Sequence, residues 1–474
     1  FRFETIDAAA TRPLFWTGPL ANAAVFLLVR DDRPLTDRLT RLDTRLGHVP
    51  RYAAQALAAV QTMDPARIAS EHAAMAARQV AATSTFYRDG LPTTTAELSA
   101  EHAELAASLI ATGRAAADAL DPLADALGDL RDRATGSARL GDGYAETFRV
   151  ATGVDTPVPQ VLAEAEAALV ERRAETAAYC RTIWDLVEAD TTPPADDVEA
   201  VRRCFARVGQ DHAEDVDAFV EEYRTLAREA HDFVREHRIM TVPEGLDLRV
   251  DRSPSFFAGQ AVGGVYAAGP FAPDAPTLLY VPTPPDGTPP DVLAGFFRDF
   301  NHHFDVMITP HETIPGHAAQ MAVAARLDSP IPALFADGVY VEGWGTFSER
   351  LMLDAGWGTP LARVAHLKKQ LENIARTIVD IRVHTTDIDR DEVVRFVREE
   401  ALQDSQFASN MWARAITTSP QLTTYWLGYR QIDALHEQVR EQRGDAFEVG
   451  EFVDRMVSLG PVPIEEYRRL FAPL

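Results

Sequence analysis

The sequence predicts a mainly α-helical protein of two lobes with a small β-sheet between them. Three observations carry that expectation. The chain has 474 residues, more than one hydrophobic core ordinarily organises, so it should divide. Apolar residues recur every third or fourth position from about 33 to 133, and again over 158–187 and 198–237, the spacing that lines one face of a helix. Between 241 and 295 the pattern changes to short β-prone runs punctuated by Pro and Gly, which read as strands and turns. The expected division is an N-terminal helical lobe over 1–240, a β-rich insert over 241–295 and a C-terminal helical lobe over 296–474.

Residues 1–30 are apolar, with Pro13 and Pro19 framing Leu14-Phe15-Trp16, and show no period that assigns an element. The next hundred residues are rich in Ala, Leu, Arg and Glu, as in Ser99-Ala100-Glu101-His102-Ala103-Glu104-Leu105, all strong helix formers. Gly136 to Gly153 reads as a break, and Thr156-Pro157-Val158-Pro159 as the start of the next helix, since Pro suits a first helical turn. His102, His212, His231 and His237 lie in helical stretches and read as structural or solvated groups. In the insert, Leu246–Val250, Gly259–Tyr266 and Thr277–Val281 are the strand candidates. An edge of such a sheet can hold an extended peptide by strand addition, or can simply cap a helical layer. Helices are then expected over about 309–326, from Val341 to Gly356, and from Leu361 to Val383.

Composition narrows the function. Hydrophobic residues make up 46% and charged residues 25%, the balance of a globular protein. The formal net charge of −25 argues against nucleic acid, which requires a basic face. No apolar run reaches membrane-spanning length. Cys180 and Cys204 are too few for a disulfide framework and suggest small core residues in a reducing compartment. The opening Phe1-Arg2-Phe3-Glu4-Thr5 lacks the pattern of a signal peptide. The expected location is cytoplasmic.

The chemistry concentrates in Thr309-Pro310-His311-Glu312-Thr313-Ile314-Pro315-Gly316-His317, followed by Val341-Glu342-Gly343-Trp344. Two imidazoles and a carboxylate can hold one Zn²⁺ and leave a position for water, with a general base beside it. In the short motif H-E-x-x-H the two His stand about 40° apart on a helix. His311 and His317 are six residues apart, roughly 240° on a regular helix, which would point them away from each other. Pro315 removes the N–H that would bond back to His311, and Gly316 admits dihedrals other residues avoid. A local bulge at that point, absorbing two residues, would return His317 to the face of His311.

Glu342, Thr346 and Glu349 share a helix face at i, i+4 and i+7. Glu342 is the expected third ligand, with Glu349 hydrogen-bonding a ligating His; the reverse assignment also fits the spacing. Adjacent His302 and His303 point in different directions on any regular element and are expected to serve structure. Asp380 and His384 stand at i, i+4, so the carboxylate can fix the imidazole tautomer.

These motifs resemble the bacterial family known as domain of unknown function 885, whose members look like gluzincin metallopeptidases. Its His-Glu-x-x-Pro-Gly-His hallmark corresponds to His311–His317, its Glu-Gly-Trp…Glu element to Glu342-Gly343-Trp344 and Glu349, and its Asp-x-x-x-His element to Asp380 and His384. The family's Arg…Pro-Gly-Gln…Tyr…Gly segment is matched at Arg414, Gln421, Tyr425 and Gly428, with Ser419-Pro420 in place of Pro-Gly. The resemblance is specific over roughly 309–430 and implies a mostly helical, cleft-containing zinc hydrolase without supplying a substrate. With the length of the chain, the expected fold is two-lobed and metallopeptidase-like around a central cleft.

The expected chemistry is hydrolysis of an amide bond by metal-activated water. His311, His317 and Glu342 would hold one zinc ion, and Glu312 would act as general base. Tyr425 and His384 are candidate oxyanion donors. Arg414 can clamp a substrate carboxylate, as a carboxypeptidase or dipeptidase requires, or serve a structural ion pair. The alternatives are a zinc-dependent hydrolase of a small-molecule amide and a metal-dependent binding protein without turnover. The absence of a G-x-S-x-G or a phosphate-binding Gly-rich pattern disfavours nucleophile-based hydrolysis and nucleotide binding.

Overall fold

The computed structural model describes residues 7–29, 33–96, 102–253, 263–284 and 287–472, with nothing said of the side chains of 405 and 406. Residues 1–6, 99–101 and 259–262 of the stretches singled out above lie outside that set. The chain forms two compact units, Phe1–Leu140 and Gly141–Leu474.

In the first unit the main helices are α1 (Pro13–Val29), α2 (Leu35–Leu46), α3 (Val49–Thr62), α4 (Ser70–Thr85) and α5 (Ala103–Arg133). Leu39, Leu42 and Leu46 of α2 meet Ala53, Ala56 and Val60 of α3, Ala73 and Ala76 of α4, and Leu120, Leu123, Leu127 and Leu130 of α5 in one core. Alanines on the facing sides let helix axes approach closely while the leucines fill the space between. Helix α1 carried no readable period because it is apolar nearly all round and has Pro19 inside it. Its Leu20 and Ala24 join the same core.

The second unit contains α6 (Tyr144–Thr152), α7 (Val158–Thr182), α8 (Asp197–Val208) and α9 (Val216–Glu236). It continues through the strands β1 (Leu248–Arg252), β2 (Gly264–Tyr266) and β3 (Thr277–Val281). Then come α10 (Pro290–Asp299), α11 (His302–Glu312), α12 (His317–Ala324), α13 (Gly338–Asp354), α14 (Pro360–Thr385), α15 (Arg390–Glu399), α16 (Ser405–Thr418), α17 (Thr424–Arg443), α18 (Val449–Val457) and α19 (Ile464–Phe471). Helix α6 sits inside the expected 136–153 break and ends at Gly153, whose φ of 65° provides the left-handed stop.

The sheet has the order β1-β3-β2, with β1 parallel and β2 antiparallel to β3. Every residue of central β3 is buried, so this strand reads as a continuous apolar run. Arg224 of α9 donates through Nε to the Val250 carbonyl at 3.0 Å, occupying the outer side of β1.

Helix α14 is the axis of this unit: α7, α11 and α16 pack on it, α13 pairs with α17, and α9 covers α11. The division therefore differs from the expected boundary at 240, because α7, α8 and α9 share a core with the C-terminal helices. Amphipathic spacing marks a helix but does not say which partner covers its apolar face. The fold is mainly helical with a small sheet, as the spacing of apolar residues and the β-prone runs implied.

Candidate metal centre

The predicted bulge is a full break. Helix α11 ends at Glu312 and α12 begins at His317, where one helix over 309–326 was expected. Across the break the Gly316 N–H donates to the Pro310 carbonyl at 3.0 Å and the Ala319 N–H to Thr313 at 3.2 Å. Both bonds span six residues where a regular helix spans four. The two inserted residues are thus absorbed, and His317 takes the place that i+4 would hold. A Cβ on Gly316 would lie 2.0 Å from the His311 carbonyl, so only glycine lets the chain pass so close to the preceding turn. The buried Trp344 indole donates to the Pro315 carbonyl at 2.9 Å and anchors the break to α13.

The result is a cluster of three potential ligands. Among the described residues, His311, His317 and Glu342 bring one ligand atom each to within 4.8 Å of one another. Glu342 Oε2 lies 3.9 Å from His311 Nε2 and 3.8 Å from His317 Nε2. The imidazoles meet edge to face, with centroids 4.6 Å apart. Gly345 makes room for this: a Cβ there would stand 2.7 Å from the His311 ring.

The far sides of both imidazoles are held. Glu349 accepts from His311 Nδ1 at 2.8 Å and from His366 Nδ1 at 2.9 Å, both wholly inside the protein. An ionised carboxylate only accepts, so both Nδ1 atoms carry the proton and His311 Nε2 keeps its lone pair. Burial pushes the His311 imidazole down to about 4 and lowers His317 as well, leaving both neutral near pH 7. Burial also raises Glu349, against the lowering hydrogen bond from His366.

The Gln320 amide nitrogen stands 2.6 Å from His317 Nδ1 and 3.4 Å from the Val341 carbonyl, while among the described residues its buried Oε1 has no hydrogen-bond partner. Turning that amide over places Oε1 on Nδ1–H and frees Nε2 of His317 for an ion, the arrangement ligating histidines use. Two neutral imidazoles and one carboxylate are a donor set suited to zinc. The residues present would fit such an ion, with Glu342 on the Nε2 side of the two imidazoles and Glu349 behind His311.

Glu312 follows His311 directly and is half-buried; burial raises its carboxyl, with His317 opposing and Glu342 adding to the rise. On the opposite wall, Tyr425 Oη accepts from Gln421 Nε2 at 3.1 Å and from Arg414 Nη2 at 3.4 Å. Among the described residues nothing accepts from that hydroxyl, so its own proton is available to a ligand. Gln421 Nε2 also reaches Glu342 at 3.5 Å. This wall is brought in by a glycine crossing of α13 and α17: a Cβ on Gly343 would sit 2.4 Å from Gly428, and one on Gly428 1.9 Å from the Val339 carbonyl. Arg414 Nη2 also donates to Gln421 Oε1 at 2.6 Å, and among the described residues Arg414 forms no ion pair.

The other predicted residues lie elsewhere. His384 is buried two turns, about 12 Å, beyond Arg376 along α14. Its Nε2 donates to the Ala415 carbonyl at 2.9 Å and its ring stacks on Tyr144 at 5.2 Å. It is not placed to meet an oxyanion at the metal group. The Asp380–His384 pair gives way to another arrangement: Asp380 Oδ1 accepts from Tyr144 and Ser419, each at 2.8 Å, which ties down the turn before Gln421. Burial pushes Asp380 up to about 7, against the two hydroxyl hydrogen bonds. His303 pairs with Asp211 at 2.8 Å and His302 with Glu222, both structural as expected.

The family described as a bacterial protein of unknown function (DUF885) matches residues 4–470. The chain belongs to DUF885. Among solved structures, this DUF885 chain is similar to one described as a putative lipoprotein of unknown function from Shewanella oneidensis. The TM-score is 0.75 at 25% identity, covering 98% of this chain and 84% of that one. A second, described as a putative lipoprotein from Colwellia psychrerythraea, aligns at TM-score 0.74 and 16% identity, covering 92% and 75%. No curated protein matches.

Sequence reasoning passed over the polar interior that this DUF885 chain carries on α14. Besides His366, Lys369 bonds Glu372 at 3.1 Å, and Arg376 pairs with Glu372 at 2.5 Å and lies 4.5 Å from the Tyr425 ring centroid. Burial alone would raise Glu372, but Arg376 and Lys369 bring it to about 2. The signal was present in His366, Lys369, Glu372 and Arg376 recurring at three- and four-residue steps, yet it reads equally as a solvated face.

Proposed function

We propose that the chain is a zinc-dependent, metallopeptidase-like hydrolase of amide bonds that recognises a substrate carboxylate, acting as a carboxypeptidase or dipeptidase. One observation carries the reading. His311, His317 and Glu342 converge beside Glu312, and Arg414 of α16 and Tyr425 of α17 approach them with donor capacity left unused among the described residues. Where the surrounding helices enclose this group, they would form the cleft of such an enzyme.

His311, His317 and Glu342 would hold the ion, which when bound supplies Lewis acidity toward water and the scissile carbonyl. Glu312 accepts the proton of the attacking water and passes it to the leaving nitrogen. Tyr425 donates to the oxygen on which charge develops, its hydroxyl fixed by Gln421 and Arg414. The unused nitrogens of Arg414 take the substrate carboxylate. Glu349 and His366 hold the His311 ring in one tautomer. The same Arg414 would suit an N-acyl amino acid, which keeps the carboxylate but lacks a free amine.

The Shewanella oneidensis structure is described as a putative lipoprotein, which favours a setting outside the cytoplasm over the cytoplasmic one that the two cysteines suggested. The experiment is metal analysis of the purified protein with turnover of a dipeptide panel and of N-acyl amino acids, for the native chain and Glu312→Gln. Zinc near one equivalent and turnover that the substitution abolishes are expected. A chain that binds no divalent ion, or a variant as active as the native chain, ends the proposal.

A further inference from the structure

Where α7, α14 and α17 meet, a cavity of about 180 Å³ opens to the surface, far more than the roughly 10–15 Å³ that one water needs. The metal group is not among its lining residues. Its floor is Gln370, Ile374 and Tyr429, all buried, with Gln370 only 1% exposed. Ala168, Glu171 and Ala434 form the rim.

Most charges around it are already matched. Arg430 pairs with Glu164 at 2.6 Å and lies over Trp426, and Asp433 pairs with Arg350. Three groups remain. Among the described residues Gln370 Nε2 and Arg172 Nε are buried without a hydrogen-bond partner. The rest of the Arg172 guanidinium pairs with Glu175 at 2.7 Å and lies within electrostatic reach of Asp433 and Tyr429. Among the described residues the exposed Glu171 makes no ion pair. Leaving such donors unmet in a buried place is destabilising, and an acceptor entering the cavity would relieve it.

We propose that this cavity binds a free α-amino acid with an apolar side chain. Arg172 and Gln370 take its carboxylate, Glu171 at the mouth takes its ammonium, and Ile374, Trp426 and Tyr429 receive the side chain. Gln370 Nε2 and Arg172 Nε lie inside the cavity and the acceptor at its rim, so an anion without an ammonium satisfies only half of the site. The inference does not depend on the metal reading.

Isothermal titration of the full-length protein with L-leucine and L-phenylalanine tests it, with N-acetyl-L-leucine as the probe lacking an ammonium. Binding of at least one free amino acid is expected, weaker by about tenfold or more in Gln370→Leu and Arg172→Met and for the acetylated probe. Ala434→Trp, at an exposed rim position, should block the cavity without touching its floor and abolish binding while the melting temperature holds. Glu342→Ala should bind as the native chain does, which separates this site from product held at the metal group. No heat from either amino acid at about 10 mM overturns the proposal. Binding that survives Ala434→Trp, or is lost with Glu342, does so equally.

Discussion

Helices α5 and α14 are the two longest, at 31 and 26 residues, and they are built on opposite rules. The buried side of α5 is Leu109, Gly113, Ala116, Ala117, Leu120, Leu123, Leu127 and Leu130, without a polar side chain. Helix α14 buries His366, Gln370, Glu372, Asn373, Arg376, Thr377, Asp380 and His384 among its apolar residues. Burying a leucine side chain stabilises a fold by roughly 1.5–3 kcal/mol, whereas a buried charge costs several unless it is paired. Packing accounts for α5 completely. It does not account for α14, whose paired charges at best break even as stabilising contacts, so that interior is best explained by what it faces.

The comparison can be broken by experiment. Glu312→Gln, in the polar region, should lower kcat on a responsive dipeptide by about 10²–10⁴ with metal content and melting temperature held, as mass spectrometry and calorimetry would record. Tyr425→Phe removes one hydroxyl and should cost about 10²–10³ in kcat with little change in KM; an equal loss in KM would assign the hydroxyl to ground-state binding. In the apolar region the response should reverse. Leu127→Ala should destabilise by about 2–5 kcal/mol in urea melts, yet leave turnover per folded molecule unchanged.

Glu349→Gln should weaken zinc binding by about 10–100-fold in competition with a chelator, since the amide cannot accept from two imidazoles as the carboxylate does. The last effect is one of pH. Asp380 is held near 7 when folded, above its unfolded value of about 3.9. Its neutral form is the one the fold prefers, so that contribution is complete below about pH 4 and is lost as pH rises through 7, at up to roughly 1.4 kcal/mol per pH unit. Asp380→Asn should flatten that decline. Denaturant melts at pH 5 and 8 with the same slope for both proteins would remove Asp380 as its source.

Much of this was legible in the residues themselves. The proximity of His311, His317 and Glu342 could be foreseen because they fall with Glu312 in two short runs, and Pro315-Gly316 gave a physical reason for the backbone to depart from a helix. Glu349 followed from helical spacing on the same run. His384 misled because i, i+4 spacing permits a pair with Asp380 without requiring one, and Tyr144, 236 positions earlier, claimed the carboxylate instead. His366 and Gln320 were invisible as partners for a similar reason: their roles exist only once helices are juxtaposed. The unit boundary escaped for the same cause, since α7 shows its apolar stripe but not that α14 covers it.

The glycine pair at 343 and 428 has a consequence for how this family can vary. With main chain resting on main chain, the gap between Glu342 and the Tyr425 hydroxyl is fixed by atoms every residue shares, so ordinary drift in core side chains leaves it untouched. A single methyl at either point would act as a wedge and part the two walls as one body. Divergent members should therefore reshape what they accept through residues lining those walls, while the spacing across them stays constant.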